Sequence, residues 1–227
     1  MATFILIPGA GGVAWYWHRV VPLLEAAGHH AIAVDLPGDD ENAGLATYAE
    51  RVADAAKGHR DIVLVAQSLG GFTAPLACER VRVGRLVFVN AMVPRPGEAA
   101  GAWWENTGAI VARIEAAERG GYGKTVDAKT YFLHDVPADV IADSAKLQRN
   151  EAEIVFAEPC RFDAWPKIPI HAIAGADDRF FPPSFQHRVA AERLGIVAEG
   201  LPGGHLIALS QPRELADRLL SYLSETR

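Results

Sequence analysis

Ser68 stands where a side chain could act as a nucleophile. The run Ile62-Val63-Leu64-Val65-Ala66 is apolar and β-branched, and it ends in Ala66-Gln67-Ser68-Leu69-Gly70, after which helical spacing follows through Leu69, Phe72, Leu76 and Ala77. Small residues two before and two after the serine let a strand and a helix pass closely at a sharp turn. Such a turn also sets the hydroxyl at a helix N-terminus, where free N–H groups can face an anion. Taken alone, five residues of this kind also fit a serine capping an ordinary helix, and Pro75 is a poor helix-interior residue. The strand before and the helix after favour the nucleophile.

A serine hydroxyl needs a base, and the base needs a carboxylate to orient it. Downstream lie His134, His171, His187 and His205. His205 follows Leu201-Pro202-Gly203-Gly204 in a glycine loop between the last weak strand and the last helix, so it is the expected base. His171 falls inside a strand pattern, His134 in a helical stretch and His187 on a charged helical face. The carboxylate should end the strand Ile170–Ala174, where Asp177 and Asp178 stand side by side. Residue types alone leave that choice open, and either also fits a loop carboxylate capping the next helix.

A rival chemistry begins at the first strand. Gly9-x-Gly11-x-x-Ala14, with Asp35 twenty-one residues on, outlines a dinucleotide-binding fingerprint and hence an NAD-dependent oxidoreductase. Trp15, Tyr16 and Trp17 follow at once, where a phosphate-cradling helix packs close to the sheet. None of the tyrosines has a lysine four residues on, and the rival leaves Ser68 and His205 unexplained. The same glycines also allow a backbone N–H to approach a developing oxyanion.

These residues need a scaffold. The chain has 227 residues, half of them hydrophobic, with a formal net charge of -6. That suits one domain with room for an inserted cap. There is no basic block for nucleic acid and no run approaching the ~20 apolar residues of a membrane span. The start lacks the basic region and long apolar core of a signal peptide. Cys78 and Cys160 form neither a disulfide framework nor a zinc motif. The expectation is a soluble cytoplasmic chain, monomer or homodimer, working on a small molecule without metal or cofactor.

Strands are expected at Phe4–Ile7, Ala31–Val34, Ile62–Ala66, Leu86–Val89, Ile170–Ala174 and, weakly, Val197–Glu199. Runs apolar on both faces suit a parallel sheet covered by helices, so the fold class is α/β, doubly wound and mainly parallel. Thr47 and Glu50 read as a capping box, and Ser210 as an N-cap ahead of Pro212. Alternation of strand and helix breaks between about Pro94 and Pro166. The expected core is 1–93 with 167–227, and 94–166 is an inserted, mostly helical cap without a convincing strand. Its aromatics Trp103, Trp104, Phe132 and Phe156 are candidates for a substrate pocket, and equally for plain packing within the cap.

Nearly the whole chain resembles the α/β-hydrolase superfamily, and within it the branch of plant methyl-ester esterases and hydroxynitrile lyases and their bacterial relatives. The matching stretches are PGAGGVAWYW, VDLPG, AQSLGG, LVFVNAMVPRPG, GADDRFFP and GGHLIALSQP. The resemblance implies a Ser68–His205–acid triad. Its G-x-x-D-x-x-x-P pattern falls on Gly175, Asp178 and Pro182, which selects Asp178. It also implies an oxyanion hole from the backbone N–H groups of Ala10 and Leu69. Two departures stand out: Pro8 replaces the usual histidine before the loop glycine, and Ala66 replaces the first elbow glycine. The similar lyases carry threonine at the place of Gly9 and lysine at that of Leu206, so the resemblance implies an esterase rather than a lyase. Ser68 stands where dehalogenases and epoxide hydrolases of this fold carry aspartate. Some proteins of this fold keep the triad yet serve as ligand receptors, so a low-turnover binding protein is the alternative.

Overall fold

In the computed structural model, which describes residues 1–224, the apolar runs become strands: β1 Thr3–Ile7, β2 His30–Ala33, β3 Ile62–Gln67, β4 Val83–Val89, β5 Glu98–Ala99, β6 Pro159–Cys160, β7 Ile170–Gly175 and β8 Glu199–Leu201. All but β5 and β6 lie in one sheet of order β2-β1-β3-β4-β7-β8, and every pair in it is parallel. Side chains alternate between its faces as the pleat requires. Ile5, Ile7, Leu64, Ala66, Leu86 and Phe88 pack on one face; Phe4, Leu6, Val63, Val65, Val87 and Val89 pack on the other. Phe4, Ile5, Leu6 and Ile7 are wholly buried, each contributing roughly 1.5–3 kcal/mol by leaving water. Cover on both faces explains why these strands read as continuous apolar runs.

Eleven helices are described: α1 Val21–Ala26, α2 Leu45–Ala56, α3 Gly70–Arg80, α4 Ala100–Thr107, α5 Ala109–Gly120, α6 Ala128–Tyr131, α7 Ala138–Ser144, α8 Glu153–Ala157, α9 Pro183–Leu194, α10 Ile207–Ser210 and α11 Pro212–Ser221. Residues of α2, α3 and α9 pack on the first face and those of α1, α10 and α11 on the second, so the sheet is doubly wound as expected. Pro75 sits inside α3.

Several local expectations are corrected. Helix α2 starts at Leu45 with no side-chain cap of its own; the Glu158 carboxylate instead accepts the Leu45 N–H at 2.9 Å, so Thr47 and Glu50 make no capping box. Ser210 closes α10, and Gln211 takes the N-cap position of α11. The last strand begins at Glu199, two residues later than expected, and Val197 is 84 % exposed.

Between β4 and β7 run α4 to α8; the stretch expected to hold no convincing strand also holds β5 and β6, which pair antiparallel, Glu98 with Cys160 and Ala99 with Pro159. Two-residue strands carry no period, so the sequence offers no signal for them. Helix α9 ties the insertion down: Arg188 donates to the Thr107 carbonyl at 2.6 Å, and Arg193 forms a buried ion pair with Glu98. Burial of Glu98 opposes its ionisation, but the hydrogen bonds from Arg193, Asn106 and the Arg95 N–H win and hold its carboxyl below the ordinary range.

Candidate active site

The C-terminal ends of β3, β4, β7 and β8 bring the chemistry together. Leaving β3, the backbone turns at Ser68 with φ +49°, a left-handed conformation costing a non-glycine residue about 1–3 kcal/mol. The turn needs its glycines. A methyl group on Gly70 would lie 2.5 Å from the Pro8 carbonyl oxygen, and one on Gly71 2.0 Å from that of Met92. Close passage of α3 over these carbonyls thus aims the Ser68 hydroxyl outward from the sheet edge.

His205 Nε2 lies 3.1 Å from Ser68 Oγ, and His205 Nδ1 lies 2.9 Å from Asp178 Oδ2. All three residues are buried. The Asp178 carboxylate is fully engaged: Oδ1 accepts the N–H groups of Phe180 at 2.8 Å and Phe181 at 2.9 Å, and Oδ2 also accepts from Gln186 Nε2 at 3.1 Å. The neighbouring Asp177 is exposed and accepts the Gly203 N–H at 3.2 Å. Among the described residues, the N–H groups of Ala10 and Leu69 have no hydrogen-bond partner. Gly9 lies against Ser68, since a methyl group there would sit 2.8 Å from Ser68 Cβ.

The predicted pocket aromatics separate. Phe132 has its ring centroid 5.4 Å from that of His205. Trp104 is one ring away, 5.5 Å from Phe180. Trp103 is wholly buried, donates its indole N–H to the Val93 carbonyl and packs on Phe181 and Phe185. Phe156 is partly buried against the core. Sequence reading missed Phe180 and Phe181, both 5.1 Å from His205, although they lie inside the acid motif. It also missed Asn90. That side chain accepts the Gly175 N–H at 2.7 Å and donates to the carbonyls of Gly204 and His205 at 3.0 and 3.1 Å, tying the acid strand to the histidine loop. Its φ of +47°, which asparagine tolerates well, leaves no trace in the sequence pattern.

The glycine loop after β1 does not cradle a phosphate. A four-residue 3-10 turn, Ala14–Trp17, follows it instead of an α-helix. The Arg149 carbonyl oxygen would lie 2.6 Å from a methyl on Gly11, so an acceptor covers the place where a pyrophosphate would approach. Asp35 is occupied too, accepting from the Ala14 N–H at 3.0 Å and from Arg149 at 2.7 Å.

The alpha/beta hydrolase family matches this chain over residues 4–218. The chain belongs to that family. A probable esterase of Oryza sativa subsp. indica, PIR7A, is 40 % identical over 96 % of this chain and 95 % of its own length. A pyrethroid hydrolase of Sphingobium wenxiniae is 25 % identical over 98 % of this chain and 88 % of its own length. The crystal structure of polyneuridine aldehyde esterase superposes with a TM-score of 0.78 at 21 % identity, over 99 % of this chain and 100 % of that one; that likeness is one of fold.

In this alpha/beta hydrolase a cavity of about 350 Å³ reaches Ala10 and Leu206, lined also by Tyr16, Leu133, Leu147 and Leu209. Burial pushes the Tyr16 phenol well up, so it stays neutral there. A larger cavity of about 880 Å³, bounded by Arg60, Arg82 and Lys167, opens at the opposite edge of the sheet, beyond reach of Ser68. A threonine at Gly9, the lyase choice, would meet Gln67 Oε1 at 2.4 Å from its first side-chain carbon. No described helix is long and apolar enough to cross a membrane.

Proposed function

We propose that this hydrolase cleaves small, apolar carboxylic esters through an acyl-enzyme on Ser68. The observation that carries the reading is the buried relay from Ser68 through His205 to Asp178, at 3.1 and 2.9 Å. Relatives named as an esterase and a pyrethroid hydrolase support an ester substrate. The rings of Phe132, Phe180 and Phe181 around His205 support an apolar one.

In this scheme Ser68 Oγ attacks the ester carbonyl as His205 Nε2 takes its proton. Asp178 holds the proton on Nδ1 and stabilises the imidazolium. The N–H groups of Ala10 and Leu69 receive the oxyanion, a contribution of roughly 3–4 kcal/mol per donor where one has been removed in a protease. His205 then returns its proton to the leaving alkoxide, and the alcohol departs. Water, deprotonated by His205, attacks the acyl-enzyme, and His205 returns that proton to Ser68 Oγ as the acid departs. The insertion 94–166 serves as the cap, with Leu133 and Leu147 lining the cavity beside Ala10 and Phe132 against His205. Two free cysteines fit a reducing, cytoplasmic setting.

A series of p-nitrophenyl esters of rising acyl length tests this. Turnover is expected for the short members and is expected to decline once the acyl chain outgrows the cavity. Binding without turnover across the series would instead make the chain a receptor.

Neither thiol has a role in the scheme. Burial pushes both Cys78 and Cys160 up to about 12, so at pH 8 each is protonated and unreactive. Treatment with iodoacetamide at that pH is expected to leave hydrolysis within about twofold of the untreated rate. A loss that tracks carboxymethylation of either cysteine would contradict it.

A further inference from the structure

We infer that the insertion positions the catalytic groups directly: Asp135 and Glu151 each accept the backbone N–H of the residue next to one of them, and both are positioning residues for the reaction. The inference rests on the assignment of His205 as base and of Ala10 as oxyanion donor.

On the histidine side, Asp135 Oδ2 accepts the Gly204 N–H at 2.6 Å. Gly204 immediately precedes His205, and its carbonyl accepts from Asn90 at 3.0 Å. The residue before the base is therefore gripped from both sides, by the insertion at its N–H and by the core at its C=O. Glycine is what admits the insertion here. A methyl group on Gly204 would lie 2.8 Å from Asp135 Oδ1 and 2.8 Å from His134 Cε1.

On the oxyanion side the arrangement repeats. Glu151 Oε2 accepts the Gly11 N–H at 2.6 Å, one residue after Ala10. Its other oxygen accepts from the Tyr48 hydroxyl at 2.5 Å, which anchors it to α2. Arg149 adds a hydrogen bond to the Gly12 carbonyl at 3.2 Å. The turn from Gly9 to Gly12, closed by the Gly12 N–H on the Gly9 carbonyl at 3.1 Å, is thus held from outside along its length. Gly11 takes φ +83°, so the direction of the Ala10 N–H depends on a residue with wide conformational freedom. A carboxyl acceptor on the adjacent N–H restricts that freedom, and burial raises that carboxyl above its ordinary range.

A purely structural carboxylate would satisfy a buried N–H and nothing more. A positioning one leaves substrate binding alone and changes the chemical step. The test compares Asp135→Ala with Asp135→Asn, and Glu151→Ala with Glu151→Gln, in the full chain. Hydrolysis of p-nitrophenyl acetate is measured well below each melting temperature. Each alanine variant is expected to lose between about ten- and a hundredfold in kcat with KM within about threefold, the size of effect that small misplacements produce. The amide variants, which keep an acceptor oxygen, are expected to recover most of that loss. Should an alanine variant fail to fold, Asp135→Leu and Glu151→Met fill the space without offering an acceptor and take its place, with the same loss expected. Wild-type kcat in the non-acceptor variants, a loss confined to KM, or amide variants as impaired as alanine ones would each overturn the inference. A wild-type protein that neither hydrolyses the ester nor reacts with a fluorophosphonate would overturn the esterase reading beneath it, a distinguishable result.

Discussion

Ser68→Ala is expected to abolish covalent labelling by a fluorophosphonate and to cut ester turnover on the order of a millionfold, as loss of the nucleophile does in a well-studied serine protease. Intact-mass measurement should find one adduct per wild-type chain and none in the variant. The substitution removes a single oxygen and keeps the Cβ. The left-handed backbone at φ +49° is set by Gly70 against the Pro8 carbonyl and Gly71 against the Met92 carbonyl, and alanine meets the same constraint. Melting temperature should therefore stay close to that of the wild type. Labelling that persists in the variant would place the nucleophile elsewhere and remove the proposed mechanism at its root.

The adjacent aspartates should respond very differently to the same change. Asp178 accepts four hydrogen bonds, two from backbone N–H groups, one from Gln186 and one at His205 Nδ1. In Asp178→Asn one oxygen becomes an N–H donor. The backbone pair from Phe180 and Phe181 retains the remaining oxygen, which turns the new donor toward His205. The imidazole must then accept at Nδ1 and carry its proton on Nε2, where it cannot take the Ser68 proton. The expected loss in kcat is about 10⁴-fold, the size of the wrong-tautomer effect in a serine protease. Asp177→Asn keeps an acceptor for the Gly203 N–H at an exposed site, and less than about tenfold should be lost. Steady-state kinetics on both variants decides the matter, and a reversed order would make Asp177 the orienting acid.

What was legible in the sequence followed the range of the interaction. The strands could be read because burial on both faces writes itself into consecutive residues, as in β1 and β3. The Ser68 turn could be read because strand, turn and helix lie within about twenty residues, and His205 because its glycine loop is local too. The choice of Asp178 over Asp177 needed the family pattern, since both end the same strand. Asn90, Asp135 and Glu151 were invisible, because each meets its partners across more than sixty residues. Helix α2 shows the same limit. Thr47 and Glu50 had the right spacing for a cap, yet a carboxylate 113 residues away does that work.

The pairing of β5 with β6 carries a consequence for how such a chain can diversify. Glu98 and Ala99 meet Cys160 and Pro159, so about sixty residues leave and return at one point. Chain between two tethered ends can lengthen or shorten at small entropic cost, about 0.6 kcal/mol for each doubling of a flexible loop. We expect the segment to be exchangeable as a cassette without moving the sheet. Any replacement must still present carboxylates to Gly11, Gly204 and the Leu45 N–H, and a carbonyl to Arg188. A transplanted segment of new shape that preserves those contacts should alter which esters enter while leaving the machinery below it intact.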